Sequence, residues 1–188
     1  VADCAVIVPA RNEELSLPNR LASISSQTVR PAEVLVVDDQ STDATRAIAE
    51  AEPGVTVVTG VAPRPGWTGK TWACEQGLGL TTASRLLFVD ADVTLAPTAV
   101  ESVLAVSEAR GGLVSVQPYH HMEKAYERFS ALFNVVAFMG VGAASPGRDG
   151  RSVGAFGPVL CCERDELASV GTFEAVRWDE ALRDIAPG

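Results

Sequence analysis

The chain has 188 residues, 47% hydrophobic and 21% charged, with a formal net charge of −9. That length supports one domain with a sizeable core. The acidic balance argues against nucleic acid as a partner, because phosphate backbones select basic surfaces.

An apolar run at 4–8 predicts a first strand, ended by Pro9. Asn12 is placed to cap a helix that opens with Glu13 and Glu14, with Leu15, Leu17, Leu21 and Ile24 as its apolar stripe. A turn at 27–32 leads to a second strand at 34–37, which stops at Asp38 and Asp39. Ser41, Thr42 and Asp43 cap a helix over 44–51, and Pro53 with Gly54 turns the chain into a third strand at 55–59. This β-α-β-α-β opening predicts an α/β fold, a mostly parallel, Rossmann-like sheet flanked by helices. No GxGxxG follows the first strand, so the dinucleotide fingerprint is missing and a redox reading loses most of its support.

Residues 60–69 read as a long exposed loop. The sequence GKT at 69–71 has the tail of a P-loop, but Arg64 stands where that motif needs glycine. Only two lysines are present, Lys70 and Lys124, so any bound diphosphate depends on local cations or helix N-termini. Lys70 lies near the start of a predicted helix running to about residue 80, a position suited to phosphate. The plainer alternative is a solvated surface lysine.

The stretch LLFVDADV at 86–93 organises the chain. Four apolar residues read as a buried strand and run into two carboxylates, Asp90 and Asp92, too costly to bury unpaired. Ligands of open α/β sheets bind beyond the carboxyl ends of strands, and carboxylate oxygens suit Mg²⁺ or Mn²⁺. The pair is therefore a candidate metal site. The competing reading is that Asp92 caps a following helix.

A helix over 97–109, a break at Gly111 and Gly112, and a strand at 113–116 follow, then Gln117, Pro118, Tyr119, His120 and His121. The next predicted helix, 123–142, is very apolar: either a core helix, or a wall for a lipid-like acceptor and a membrane-facing surface. A charged, glycine-rich loop at 145–151 precedes a strand-like run at 153–162, bent at Gly157 and Pro158. A helix at 163–170 closes at Gly171, and a short final helix follows residue 180. Cys4, Cys74, Cys161 and Cys162 form no CxxC pair and no zinc pattern, and read as reduced, buried thiols in a cytosolic setting. No apolar run is long enough to span a bilayer. The chain reads as a single domain over 1–188, excised from any flanking membrane segments.

Four motifs now stand in order: VPARNE at 8–13, VDDQSTD at 37–43, GK at 69–70 and VDAD at 89–92. Together they resemble family 2 inverting glycosyltransferases of the GT-A fold, over nearly the whole chain. Three further segments, PGWTGKTWA at 65–73, QPYH at 117–120 and AYERFSALFN at 125–134, are similar to carotenoid-acid glycosyltransferases of the diaponeurosporenoate type. Hopene-associated glycosyltransferases share the tryptophan-glycine-lysine segment.

That resemblance implies a nucleotide-sugar donor, usually a UDP-sugar, and an isoprenoid acceptor. It also implies a cytoplasmic location at the inner face of the plasma membrane, with peripheral membrane contact. Residue by residue, it implies that Pro9, Ala10, Arg11 and Glu13 line the nucleotide pocket and that Asp38 or Asp39 hydrogen-bonds the base. Lys70 approaches the nucleotide, Asp90 faces the ribose or sugar, and Asp92 holds Mg²⁺ or Mn²⁺ on the diphosphate. Gln117 and His120 fall on the acceptor side. The family's Glu-Asp pair before the last helix is replaced by WDEAL at 178–182, which puts Asp179, beside Glu180, at the position of the general base and Trp178 where Glu is usual. Two other readings remain: a sugar nucleotidyltransferase, which wants a glycine-rich loop after the first strand that 9–14 lacks, and a non-catalytic nucleotide-sugar-binding domain.

Overall fold

The structure is a computed structural model and describes residues 1–116 and 158–176. The expected helix at 123–142, the loop at 145–151, the first part of the strand-like run and the final helix lie outside these residues. Among the described residues the elements are β1 (Ala2–Ala10), α1 (Leu17–Ser25), β2 (Pro31–Asp38), α2 (Thr45–Ala51), β3 (Thr56–Thr59), α3 (Gly69–Leu78), β4 (Arg85–Val89), α4 (Ala99–Arg110), β5 (Val114–Val116), β6 (Val159–Glu163), α5 (Arg164–Ser169) and a 3₁₀ turn (Thr172–Val176).

The strands form one sheet in the order β3-β2-β1-β4-β6-β5. β1 pairs in parallel with β2 and β4, and β2 with β3, whereas β6 runs antiparallel to both β4 and β5. From β1 the chain builds outward to β2 and β3 on one side, then returns to place β4 on the other. That reversal opens a crevice at the carboxyl ends of β1 and β4, where ligands of such sheets bind. The chain also leaves β5 beside Val159, through the Val116 pairing, and re-enters β6 at that same end, where the Asp90 N–H donates to the Pro158 carbonyl at 2.9 Å.

Alternation along the strands splits the core into two layers. Cys4, Val6 and Val8 of β1 join Val36, Leu87, Val89 and Cys161 against Leu17, Leu21 and Ile24 of α1 and Val100, Val103 and Leu104 of α4. Ala5 and Ile7 join Leu35, Val37, Leu86, Phe88 and Cys162 against Ala73, Cys74 and Leu78 of α3 on the other face. Helix α3 sits close because Gly77 has no side chain: a Cβ there would lie 2.6 Å from Ile7 Cγ2 and 3.1 Å from Val37 Cγ2.

Three expectations need correction. Pro9 does not end β1, since it pairs with Val37 and Ala10 with Asp38. The Ala10 carbonyl accepts from the Asp39 N–H, so the neighbouring Pro9 nitrogen faces β4, where the ladder has already stopped at Ile7 and Phe88. The missing donor is therefore not needed. Asn12 does not cap α1, which starts at Leu17 after Ser16. Asn12 instead has a positive φ of 55° and its side chain accepts from the Thr42 N–H at 2.9 Å. Leu15 consequently leaves the apolar stripe and is 88% exposed. Asp92 caps no helix: α4 begins at Ala99, after Thr98.

Candidate active site

Loops following β1 and β2 are tied into one surface. The Asn12 N–H donates to Ser41 Oγ at 3.0 Å and the Glu13 N–H to Thr45 Oγ1 at 2.7 Å. The Glu14 carboxylate accepts from the Ala44 N–H, and Asp43, one residue ahead of the N-cap Ala44, accepts from the Thr45 N–H at 3.0 Å. These polar residues supply the hydrogen bonds that backbone groups beyond the strand ends would otherwise lack.

Between that surface, α3 and the end of β4 lies a cleft of about 360 Å³, lined by Pro9, Ala10, Arg11, Glu13, Asp39, Gly69, Lys70, Ala73, Asp90, Ala91 and Asp92. Every nucleotide or metal candidate within the described residues lines it except Asp38. That carboxylate turns away and accepts from the Ser41 N–H at 3.1 Å, closing the turn after β2. Asp39 is 4% exposed. Its Oδ2 pairs with Arg11 Nη1 at 3.4 Å, and its Oδ1 is buried with no partner among the described residues. Gln117, His120, Asp179 and Glu180 lie outside the described residues.

Across the cleft, Lys70 at the first turn of α3 reaches the Asp90 carboxylate, with Nζ 2.7 Å from Oδ1 and 2.8 Å from Oδ2. Thr68 caps that helix, accepting from the Thr71 N–H at 3.3 Å. The loop before it is strapped down: Trp72 Nε1 donates to the Val61 carbonyl at 2.9 Å, the Val61 N–H to Gln76 Oε1 at 2.8 Å, and the Trp67 ring meets Trp72 edge-on at 5.1 Å. At the far end of α3, Glu75 accepts from Thr172 Oγ1 and the Phe173 N–H, and Phe173 stacks edge-on against Phe88.

Asp92 is exposed on the turn that Asp90 opens, where the Val93 N–H donates back to the Asp90 carbonyl at 3.2 Å. Beneath this turn lies a residue that sequence reading passed over. Arg20 of α1 is 1% exposed, and its Nε and Nη2 both donate to the Asp90 carbonyl, Nε at 3.0 Å. Burial lowers its pKa to about 10, against the opposing pull of Asp92 and then Asp90. The signal was an arginine on the apolar side of a helix, between Leu17 and Leu21.

No group of three or more His, Cys, Asp or Glu side chains that could hold a metal occurs among the described residues. A lone accessible carboxylate nonetheless suits Mg²⁺ or Mn²⁺, which take one or two carboxylates together with substrate phosphates. Asp92 is an exposed carboxylate in the cleft wall, while Asp90 is engaged by Lys70.

A mostly parallel sheet with its cleft at the strand reversal, bordered by an acidic turn, is the architecture of the GT-A glycosyltransferases. A mannosyltransferase from Pyrobaculum calidifontis in complex with GDP-Man and Mn²⁺ superposes with a TM-score of 0.64 at 25% identity, over 90% of this chain and 47% of that one. Glucosyl-3-phosphoglycerate synthase from Mycobacterium tuberculosis, in complex with Mn²⁺, UDP and glucosyl-3-phosphoglycerate, gives 0.60 at 23% identity, over 88% and 58%.

The chain belongs to glycosyl transferase family 2, whose sequence model matches residues 5–152. It is 43% identical over 171 residues to the 4,4'-diaponeurosporenoate glycosyltransferase of Staphylococcus aureus strain MRSA252, covering 88% of this chain and 45% of that protein. The chain thus spans about half the length of the curated relatives it matches.

Proposed function

We propose that this domain binds a UDP-sugar in the cleft and transfers the sugar, with inversion, to a carotenoid-acid or related isoprenoid acceptor. The observation that carries the donor site is Asp39 Oδ1, a buried acceptor with no partner among the described residues in the wall of an open cleft. Such an oxygen needs a donor, and the ring N–H of a uracil base supplies one. The Mn²⁺ in the Pyrobaculum complex and the exposed carboxylate of Asp92 in the cleft wall support a divalent cation there. When bound, the cation offsets charge on the diphosphate.

The chain's own residues account for the rest. Lys70, half-exposed at the cleft rim, moves between the Asp90 carboxylate and the diphosphate as charge develops on the departing group. The acceptor oxygen attacks the anomeric carbon from the face opposite the diphosphate, and the bond to the diphosphate oxygen breaks. For an alcohol acceptor, Asp179, flanked by Glu180, takes the hydroxyl proton. A carboxylic acid acceptor is already ionised near neutral pH, so it needs little base catalysis. Gln117, His120 and the apolar 123–142 segment belong to the acceptor side, in keeping with a chain that leaves β5 and returns to β6 at the cleft end of the sheet. That apolar segment is also the surface through which the domain would touch the inner face of a membrane, although no described helix is long and apolar enough to cross one.

Calorimetric titration with UDP, first with Mn²⁺ and then with EDTA, tests the donor site, with GDP as the comparison. Metal-dependent UDP binding that Asp92→Ala removes is the expected result. Absence of binding by either nucleotide would overturn it. Release of sugar from a UDP-sugar separates a transferase from a domain that binds without turnover.

A further inference from the structure

Arg20 is a charged side chain taken almost wholly out of water, and the residues that hold it there belong to the site. A buried guanidinium is costly unless its N–H groups and its charge are both answered. Two of its nitrogens are answered by one atom, the carbonyl of Asp90. The third, Nη1, is buried and has no partner among the described residues. A guanidinium is planar, with its donors fixed in a fork, so Nη1 cannot turn to share that carbonyl. The two carboxylates whose charges act on it are Asp92, more strongly, and Asp90. Asp90 already holds Lys70 at 2.7 and 2.8 Å through both of its oxygens. Asp92 is exposed, two residues along the same turn, and its carboxylate has no hydrogen bond or ion pair among the described residues.

We infer that Arg20 is the positioning residue of the Asp92 carboxylate, keeping Nη1 as the donor that orients it when it takes a divalent cation bound to a diphosphate. One oxygen of Asp92 then faces the cation and the other faces the guanidinium. Carboxylate ligands are commonly held this way by an outer partner, whose loss weakens metal binding about 10- to 100-fold. The arginine comes from α1, so the orientation of that carboxylate depends on how α1 sits in the core layer it shares with Leu87 and Val89 of β4. This inference rests on the reading of the cleft as a metal-assisted nucleoside diphosphate site.

The test is calorimetry with UDP in Mn²⁺ and in EDTA, on the wild-type protein, Arg20→Met and Arg20→Lys, with thermal melts to verify folding. The ratio of the two affinities is the contribution of the metal. Arg20→Met is expected to leave UDP binding in EDTA within about twofold and to reduce the metal contribution about tenfold or more. Arg20→Lys keeps the charge, with its donors on a single nitrogen, and is expected to restore part of the contribution. A merely structural arginine would weaken binding equally with and without metal, and that outcome overturns the inference, as does a full metal contribution in Arg20→Met. Should Arg20→Met fail to fold, Arg20→Lys carries the test alone: a reduced contribution supports the inference and an unchanged one overturns it. No metal contribution in the wild-type protein would instead overturn the reading of the cleft, and this inference with it.

Discussion

The ammonium of Lys70 lies 2.7 Å from one oxygen of Asp90 and 2.8 Å from the other, joining the start of α3 to the end of β4 across the cleft. With the lysine side chain 49% exposed, the pair adds little to stability, about 1 kcal/mol at most. Its value is the placement of a half-exposed cation beside the acidic turn. Lys70→Ala is therefore expected to change the melting temperature slightly and to weaken UDP binding about tenfold, the scale of one lost charge-assisted contact. In the wild-type protein, raising the ionic strength should erode the same contact by screening it. A titration series in increasing salt checks both effects, and an unchanged affinity in Lys70→Ala would remove the lysine from the donor site.

Asp39 carries a tension between stability and binding. One of its oxygens has only a long pair with Arg11 and the other has no partner among the described residues, so burying this carboxylate costs the folded state. Asp39→Asn removes the charge and is expected to leave the protein as stable or more so, while weakening UDP binding about tenfold or more. Parallel melts and titrations of the one variant check this. Destabilisation together with unchanged binding would show that Asp39 is a structural acid.

Two glycines of α3 are expected to respond differently to alanine. At Gly77 the new methyl meets Ile7 and Val37 in a packed core, and overpacking of that kind costs about 1–3 kcal/mol. At Gly69 it meets the Asp39 carboxylate, 2.6 Å from Oδ2, which can rotate away. Gly69→Ala should then keep its melting temperature and lose UDP affinity, whereas Gly77→Ala should lower the melting temperature. Gly79→Ala, whose methyl comes no nearer than 3.6 Å to Gln76, is the control.

All four cysteines are free and buried. Burial raises the Cys4, Cys74 and Cys162 thiols from the ordinary 9.0 to about 12 and raises Cys161 as well. A thiol reagent at pH 8 should leave them untouched until denaturant is added, because the thiolate is the reacting form. The same shift sets a pH dependence. Unfolded thiols ionise from about pH 9 while the folded ones hold their protons, so the unfolded state binds fewer protons and stability falls with rising pH. The contribution is complete below pH 9 and is lost progressively towards pH 12. Melts between pH 7 and 11 check the sign.

Local pattern was enough for much of the fold. The apolar runs at 34–37 and 86–89, the helix ahead of the glycine break at 111–112 and the two acids at the end of β4 were all legible, because burial on both faces of a strand and the cost of an unpaired carboxylate act within a few residues. The family resemblance implies nucleotide or metal roles for Pro9, Ala10, Arg11, Glu13, Asp38 or Asp39, Lys70, Asp90 and Asp92, and all of these except Asp38 line one cleft. Only the tertiary structure distinguished the neighbours Asp38 and Asp39, since strand alternation sends one into the turn after β2 and the other into the cleft. Only it showed that Pro9 continues β1, because the need for its missing N–H depends on where the ladder to β4 stops. Asn12 kept its polar character and exchanged a helix cap for a bond to a loop 30 residues away. Arg20 shows the same limit: its place on an apolar stripe was visible in the chain, but what it does there is set by the carbonyl of Asp90, 70 residues further along. Contacts between residues so far apart carry no periodicity, so the folded sheet alone decides them.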